Sequence, residues 1–246
     1  MTTIQYLNLI ILNILAWLAL SYFWSFWTFK LFKPYKWLDY FKKKDIPPVI
    51  RKIEKKDKDR IRFYSLWLQL ERINKYQLDG AMAELGVYKG ETAKVIHHMV
   101  PDKKLYLFDS FEGLPRQVIR EDCDGQVRPY TVKFDQTSPE GVAKYISGND
   151  NVIIRKGIFP ETARDLGDET FVFVHIDADL YQSTKDALEF FYSRLVPGGI
   201  VLIHDYNHNW EGVTKAVDEF VTTIPEEFTE LPDQLGSIVL IKNRTA

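Results

Sequence analysis

Apolar and polar residues alternate along this chain in three different ways. From Thr2 to Phe29 no side chain is charged, and Leu7 through Leu20 is apolar apart from Asn8 and Asn13. A bilayer core is crossed by about 20 such residues in helical form, so this stretch predicts a long hydrophobic helix. It ends in a dense aromatic patch, Tyr22, Phe23, Trp24, Phe26, Trp27 and Phe29, followed directly by lysines. Aromatic rings collect where lipid headgroups begin. From Ile61 to Ile73 the apolar positions Phe63, Tyr64, Leu66, Trp67, Leu70 and Ile73 follow helical spacing and predict an amphipathic helix.

Beyond that helix, short unbroken apolar runs take turns with helical patterns. Strands are expected at Ala81–Leu85, Lys104–Phe108, Asn151–Arg155, Phe171–Ile176 and Ile200–Ile203, with a last strand at Ser237–Ile241 closing a terminal hairpin. Helices are expected at Glu91–Met99, Pro139–Ile146, Thr162–Leu166, Thr184–Leu195 and Val213–Val221. Strands that are apolar throughout belong to parallel sheets covered on both faces. The expected fold is therefore α/β, a Rossmann-like, mostly parallel sheet with helices on both faces, preceded by an N-terminal hydrophobic helix. Such sheets bind ligands beyond the carboxyl ends of their strands, which is where Glu84, Gly86, Asp109, Asp177, His204 and Asp205 fall. The stretch Phe111–Thr137 has no clear period and reads as a long functional loop.

Charge divides the chain further. Its formal net charge is −2, yet residues 1–44 hold six lysines against the single acid Asp39, leaving 26 basic and 33 acidic residues beyond. A +5 edge thus follows the apolar segment and a −7 remainder carries the strands. The acidic remainder argues against nucleic-acid binding, which needs a basic face. The positive edge predicts an anchor with its N-terminus outside and the acidic part in the cytoplasm. Pro34, Pro47 and Pro48 punctuate a charged linker. The expected organisation is a membrane anchor helix over 1–32, a basic linker over 33–60 and the α/β domain over 61–246. Residues 4–32 would meet the membrane, single-pass or monotopic, since Gln5, Asn8, Asn13, Ser21, Ser25 and Thr28 also suit a helix lying in the interface. No basic side chain precedes the apolar run and no small-residue cleavage pattern follows it, so a removable signal fits poorly. The single cysteine, Cys123, rules out an internal disulfide.

Three constellations carry chemistry. Glu84-Leu-Gly86-Val-Tyr-Lys-Gly90-Glu-Thr92 spans a strand-to-helix turn, where Gly86 allows close approach of a ligand and Gly90 opens a helix. It is not the dinucleotide glycine pattern. Asp109 ends the next strand, where a carboxylate can accept hydrogen bonds from vicinal ribose hydroxyls. Together they point to a nucleoside ligand without phosphates, such as S-adenosylmethionine. His175-Ile-Asp177-Ala-Asp179 and His204-Asp205 end two further strands. Carboxylates with one imidazole suit Mg²⁺ or Mn²⁺, and His204 could instead be a general base. His175 reads as a satisfied core histidine.

These residues resemble a known family. Glu84 to Gly90, the run Phe-Asp-Ser-Phe-Glu-Gly-Leu-Pro at 108–115, the run from His175 to Thr184 and the run from Leu195 to Tyr206 are similar, in order and spacing, to macrocin O-methyltransferases of the TylF type. The resemblance implies a class I S-adenosylmethionine-dependent O-methyltransferase acting on a sugar hydroxyl, usually with Mg²⁺. It implies cofactor contacts at Glu84, Gly86, Gly90, Thr92, Asp109 and Ser110. It further implies a covering loop from Phe111 and metal ligands at Asp177 and Asp205; His204, where this chain departs from the family, is expected either as a third, nitrogen ligand or as a catalytic base beside Asp177. The family commonly has Asp where this chain has His204. Placement at a membrane points to a sugar, glycolipid or nucleotide-sugar acceptor, and a homo-oligomer is compatible. The alternatives are a non-catalytic, membrane-anchored nucleoside-binding module and a nucleotide-sugar oxidoreductase; the second lacks its phosphate-binding glycines. His208 and His175 are the lesser candidates for proton acceptor.

Overall fold

The computed structural model describes residues 2–27, 33–114, 134–206 and 210–244. The chain divides into two units, residues 1–46 and 47–246. In the first, helix α1 (Thr3–Trp27) has no buried residue and no charge. At about 1.5 Å per residue its 25 residues are long enough for a bilayer core. Its polar residues are spread around the whole circumference, and Asn13 Nδ2 donates to the Leu9 carbonyl at 2.8 Å, inside the helix. Helix α2 (Tyr35–Lys43) follows and ends at Lys44 in a left-handed conformation. Residues 28–32, the last part of the expected anchor, lie outside the described residues.

The second unit begins earlier than the apolar pattern suggested. Helix α3 (Pro48–Lys56) buries Ile50 and Glu54, and Tyr64 donates to Glu54 Oε1 at 2.7 Å. Residues 47–60, expected as linker, are therefore part of the α/β unit. Helix α4 (Arg60–Tyr76) is capped by Asp59, whose Oδ1 accepts from the Arg62 amide.

Strands β1 (Ala81–Leu85), β2 (Leu105–Asp109), β3 (Val152–Lys156), β4 (Phe171–Ile176), β5 (Leu195–His204), β6 (Phe228–Leu231) and β7 (Ser237–Ile241) form one sheet in the order β3-β2-β1-β4-β5-β7-β6. The first five are parallel and the last two pair antiparallel. Helices α5 (Glu91–Met99), α6 (Pro139–Ile146), α7 (Tyr181–Arg194) and α8 (Glu211–Val221) and a 3₁₀ turn (Glu161–Leu166) connect them. Strands β1 and β4 are buried along their whole length, as their unbroken apolar runs require. Phe108, Phe159, Phe171 and Phe191 interlock on one face with ring centroids 5.0–6.0 Å apart, a spacing that adds to simple burial.

One strand departs from expectation. The Pro197-Gly198-Gly199 run reads as a helix stop, yet β5 already starts at Leu195 and passes through it. Gly198 N donates to the Lys242 carbonyl and Lys242 N to the Gly199 carbonyl, so the β7 end supplies the missing pairing.

The candidate active site

Register builds the site. Leu85 lies opposite Phe108 and Ile176, and Ile176 opposite Ile203. One residue further along each strand are Gly86, Asp109, Asp177 and His204, which therefore emerge together at the carboxyl edge. Strand spacing of about 4.8 Å sets their separation. A cleft of about 500 Å³ opens over this row, lined among others by Arg62, Glu84, Tyr88, Asp109, Ile158 and Asp205.

At Gly86 the backbone has φ +84°, and a Cβ there would lie 1.9 Å from the Asp177 carbonyl oxygen. Only glycine lets β1 turn this closely past β4. Gly90, with φ +78°, caps the start of α5, where a Cβ would lie 3.0 Å from Val142 Cγ1; it is not among the residues lining the cleft. Thr92 does line it.

Asp109 is heavily engaged. Its Oδ2 accepts from the amides of Val87 and Tyr88, both at 2.8 Å, and its Oδ1 from Phe111 at 2.7 Å. The carboxylate thus organises the loop after β1, and of its four acceptor positions about one is left for a ligand hydroxyl. Ser110 is also turned to its own loop: its Oγ accepts from Glu112 N at 3.2 Å and donates to the Gly113 carbonyl at 3.3 Å. The covering loop is described only at 111–114 and 134–137; residues 115–133, with Pro115 and Cys123, lie outside the described residues, as does His208.

Beneath the row sits a buried pair, with His175 Nδ1 3.0 Å from Glu84 Oε1 and both side chains almost without solvent contact. Burial pushes the Glu84 carboxyl well above the carboxylate range, with the Asp177 charge adding to it. Burial likewise brings His175 down to about 3. Burial thus disfavours the charged form of each, and Glu84 Oε2 has no hydrogen-bond partner.

Above them the acids gather. Asp177 Oδ1 is 3.0 Å from His204 Nδ1, and Asp177 Oδ2 is 2.6 Å from Arg62 Nη2. Burial opposes ionisation of Asp177, but His204 and Arg62 outweigh it and hold the carboxyl well below its usual range. Burial also opposes a charge on His204, yet Asp177 and Asp205 raise the ring to about 9. The same Nδ1 is 3.3 Å from Asp205 Oδ1, while Nε2 is buried, without a hydrogen bond, 3.9 Å from Asp233 Oδ2. Both ring nitrogens therefore face carboxylates of the protein. A metal ligand and a general base both need a free lone pair on one ring nitrogen, so the two roles stay alternatives for His204, beside that of a fixed charge.

Asp179 adopts φ +62°. Its carboxyl is raised well above its usual range by burial, by the charges of Asp177 and Asp205 and by a hydrogen bond with Asp205. Asp177, His204 and Asp205 each offer a ligand atom within 4.8 Å of the others. The orphaned Asp205 Oδ1 and this oxygen-rich donor set fit a hard divalent cation.

Arg62 was missed by pattern reading, because it stands in a highly charged stretch that looks solvated. Its partner, Asp177, is 115 residues away. Asp233 was missed for the same reason: it caps the turn before β7 through Ser237 N and Oγ at 2.9 and 2.8 Å, and nothing local connects it to His204.

A family model described as Macrocin-O-methyltransferase (TylF) matches residues 53–235. The Streptomyces olivaceus 8-demethyl-8-(2,3-dimethoxy-alpha-L-rhamnosyl)-tetracenomycin-C 4'-O-methyltransferase is 29% identical over 142 residues, 52% of this chain and 53% of the relative. The Micromonospora griseorubida mycinamicin III 3''-O-methyltransferase is 27% identical over 140 residues, 52% of this chain and 55% of the relative. The chain spans about half the length of the curated relatives it matches. Among solved structures, the O-methyltransferase NovP superposes with a TM-score of 0.61 at 23% identity, over 75% of this chain and 81% of that one. A calicheamicin methyltransferase superposes with a TM-score of 0.58 at 20% identity, over 74% and 80%. These likenesses show the fold.

Proposed function

The chain belongs to the macrocin O-methyltransferase (TylF) family, and on that footing we propose that it is an S-adenosylmethionine-dependent O-methyltransferase acting on a hydroxyl of a sugar or glycoconjugate at the cytoplasmic face of a membrane. The observation that carries this reading is the level row Asp109, Gly86, Asp177 and His204 at the mouth of one cleft. S-adenosylmethionine brings a sulfonium-activated methyl group, so the protein has mainly to align two partners and promote loss of the hydroxyl proton.

Gly86 admits the nucleoside to the sheet edge, and Asp109 offers a hydroxyl acceptor while shaping the loop around it. The buried Glu84–His175 pair forms the floor of the cleft beneath the cofactor's methionine end. Asp177, His204 and Asp205 would hold Mg²⁺ or Mn²⁺, which when bound acts as a Lewis acid on the acceptor hydroxyl. Asp179 is the proton acceptor we favour: it lines the cleft beside Asp177 and Asp205, and burial and those two charges raise its affinity for a proton. His204 is then the positively charged or metal-holding member of the group.

The membrane assignment rests on α1. A helix lying in the interface carries one polar face; α1 has none, and its central Asn13 is satisfied within the helix, as lipid surroundings demand. We therefore favour a spanning anchor. Lipid-linked glycans and their nucleotide-sugar precursors are the acceptors such placement offers.

Thermal-shift measurement tests the cofactor. S-adenosylhomocysteine should raise the melting temperature of the full chain and NAD should not. A shift with NAD alone would overturn the reading in favour of an oxidoreductase.

A further inference from the structure

Helix α4 starts against the cleft and is tied down on two sides. Asp59 Oδ1 accepts from the Arg62 amide at 3.1 Å, Asp59 Oδ2 accepts from Gln234 N at 2.8 Å, and Asp57 Oδ1 accepts from Asp59 N at 2.9 Å. Arg62, in the first turn, is thereby aimed at the carboxyl edge of β4, where Nη2 meets Asp177 Oδ2 at 2.6 Å. Its side chain keeps 29% of its surface accessible, so the guanidinium is open to the cleft. One of its five N–H donors is spent on that bond.

The sheet supplies a ruler for what reaches it. Asp109 ends β2 and Asp177 follows β4, two strand steps or about 10 Å apart across Gly86. Resting on the proposed function, a nucleoside whose ribose meets Asp109 lays its base toward the apolar Ile158 and Phe159 and its amino-acid tail over Gly86 toward Asp177. That tail ends in a carboxylate, and it arrives among Asp177, Asp179 and Asp205. A second anion is unwelcome there without a cation. Among the described residues lining the cleft the cationic side chains are Arg62, Lys89 and His204. His204 faces its own carboxylates on both ring nitrogens, and Lys89 lies over the Tyr88 ring, 4.9 Å from its centroid.

We propose that Arg62 is the receptor for the carboxylate of the cofactor's methionine moiety, its planar fork shared between that group and Asp177. A guanidinium suits the task because it can meet a carboxylate through two parallel N–H bonds while keeping a third donor for a neighbour.

The test is calorimetric binding to the full chain of S-adenosylhomocysteine and of its decarboxylated analogue, 5′-S-(3-aminopropyl)-5′-thioadenosine. Arg62→Gln should weaken S-adenosylhomocysteine by about tenfold or more and the analogue by no more than about twofold, the cost of a lost charge-assisted bond. Arg62→Lys should weaken it less. A counter-ion that only neutralised Asp177 would give a different result in an Asp177→Asn background, where removing Arg62 would no longer matter. The proposal expects the tenfold loss to persist in Arg62→Gln/Asp177→Asn. Equal losses for both ligands, or recovery in the double variant, overturn it. Wild-type protein that binds neither ligand would instead reject the proposed function itself.

Discussion

Nδ1 of His204 lies 3.0 Å from Oδ1 of Asp177, at the ends of neighbouring parallel strands. A carboxylate so placed joins the cofactor cleft to the acidic group that would prepare the acceptor. Asp177→Asn should therefore reduce turnover to below about one-hundredth, while S-adenosylhomocysteine affinity, measured by calorimetry, stays within about threefold. Excess chelator should do the same to the wild type. Full activity under either condition would reject the metal-assisted scheme.

Asp179 and His204 make opposite predictions as proton acceptors. Asp179→Asn should lower kcat by about a hundredfold or more with little change in the cofactor's KM. His204→Gln should weaken Mn²⁺ binding, measured by electron paramagnetic resonance, in addition to any loss of rate. If Asp179→Asn turns over normally and His204→Gln loses kcat with Mn²⁺ binding intact, the roles are reversed.

Gly86→Ala should be one of the most disruptive single substitutions in the chain. A Cβ 1.9 Å from the Asp177 carbonyl, at φ +84°, forces β1 and β4 apart. Denaturant titration should show a loss of about 3 kcal/mol or more, or no folded protein. Near-native stability would mean that the strands are not held this closely.

Acid should destabilise the folded unit through buried histidines. His97 is lowered from 6.5 by burial and by neighbouring His98, and its Nε2 accepts from Asn149 N at 3.4 Å. His175 is lowered to about 3. Below pH 6.5 the unfolded chain binds these protons and the folded chain resists them. The stability they contribute is therefore present above pH 6.5 and is lost as pH falls toward the folded values. His204, raised to about 9, acts in the opposite sense: its contribution is full well below pH 6.5 and is lost as pH rises toward 9. His97→Gln should reduce the slope of unfolding free energy against pH between 6.5 and 5 by up to about 1.4 kcal/mol per unit. An unchanged slope would mean that His97 titrates normally.

For the anchor, Leu12→Lys/Leu15→Lys places two charges at the middle of α1, at a cost of roughly 3 kcal/mol each in a bilayer. Wild-type protein should stay with membranes through alkaline carbonate extraction and the double variant should be released. Equal release of both would favour an interfacial helix.

Asp109, Asp177 and His204 were legible in the sequence because each closes an unbroken apolar run, and parallel strands in register bring such ends together. Arg62 was not, since helical spacing says which face a residue occupies but not that its side chain crosses to a strand 115 residues on. Helix α3 is only nine residues long and charged; Glu54 is held by Tyr64 of α4 and the helix packs against α5, partners that no local pattern encodes. The start of β5 was hidden because Pro197 and two glycines are poor strand formers, and only pairing with the β7 end overrides them. Asp109 and Ser110 were found for the right place, but their hydrogen bonds to their own loops depend on backbone geometry that residue types do not carry.

The central claim is methyl transfer in this cleft. The most direct measurement incubates the full chain, in its native membrane extract, with S-adenosylmethionine carrying an isotopically labelled methyl group and follows the glycolipid and nucleotide-sugar fractions by mass spectrometry. The account predicts S-adenosylhomocysteine formation together with a labelled methyl on a glycan hydroxyl for the wild type and neither for Asp177→Asn. Label in those fractions at equal levels for both proteins, or cofactor binding with no labelled glycan at all, would contradict it.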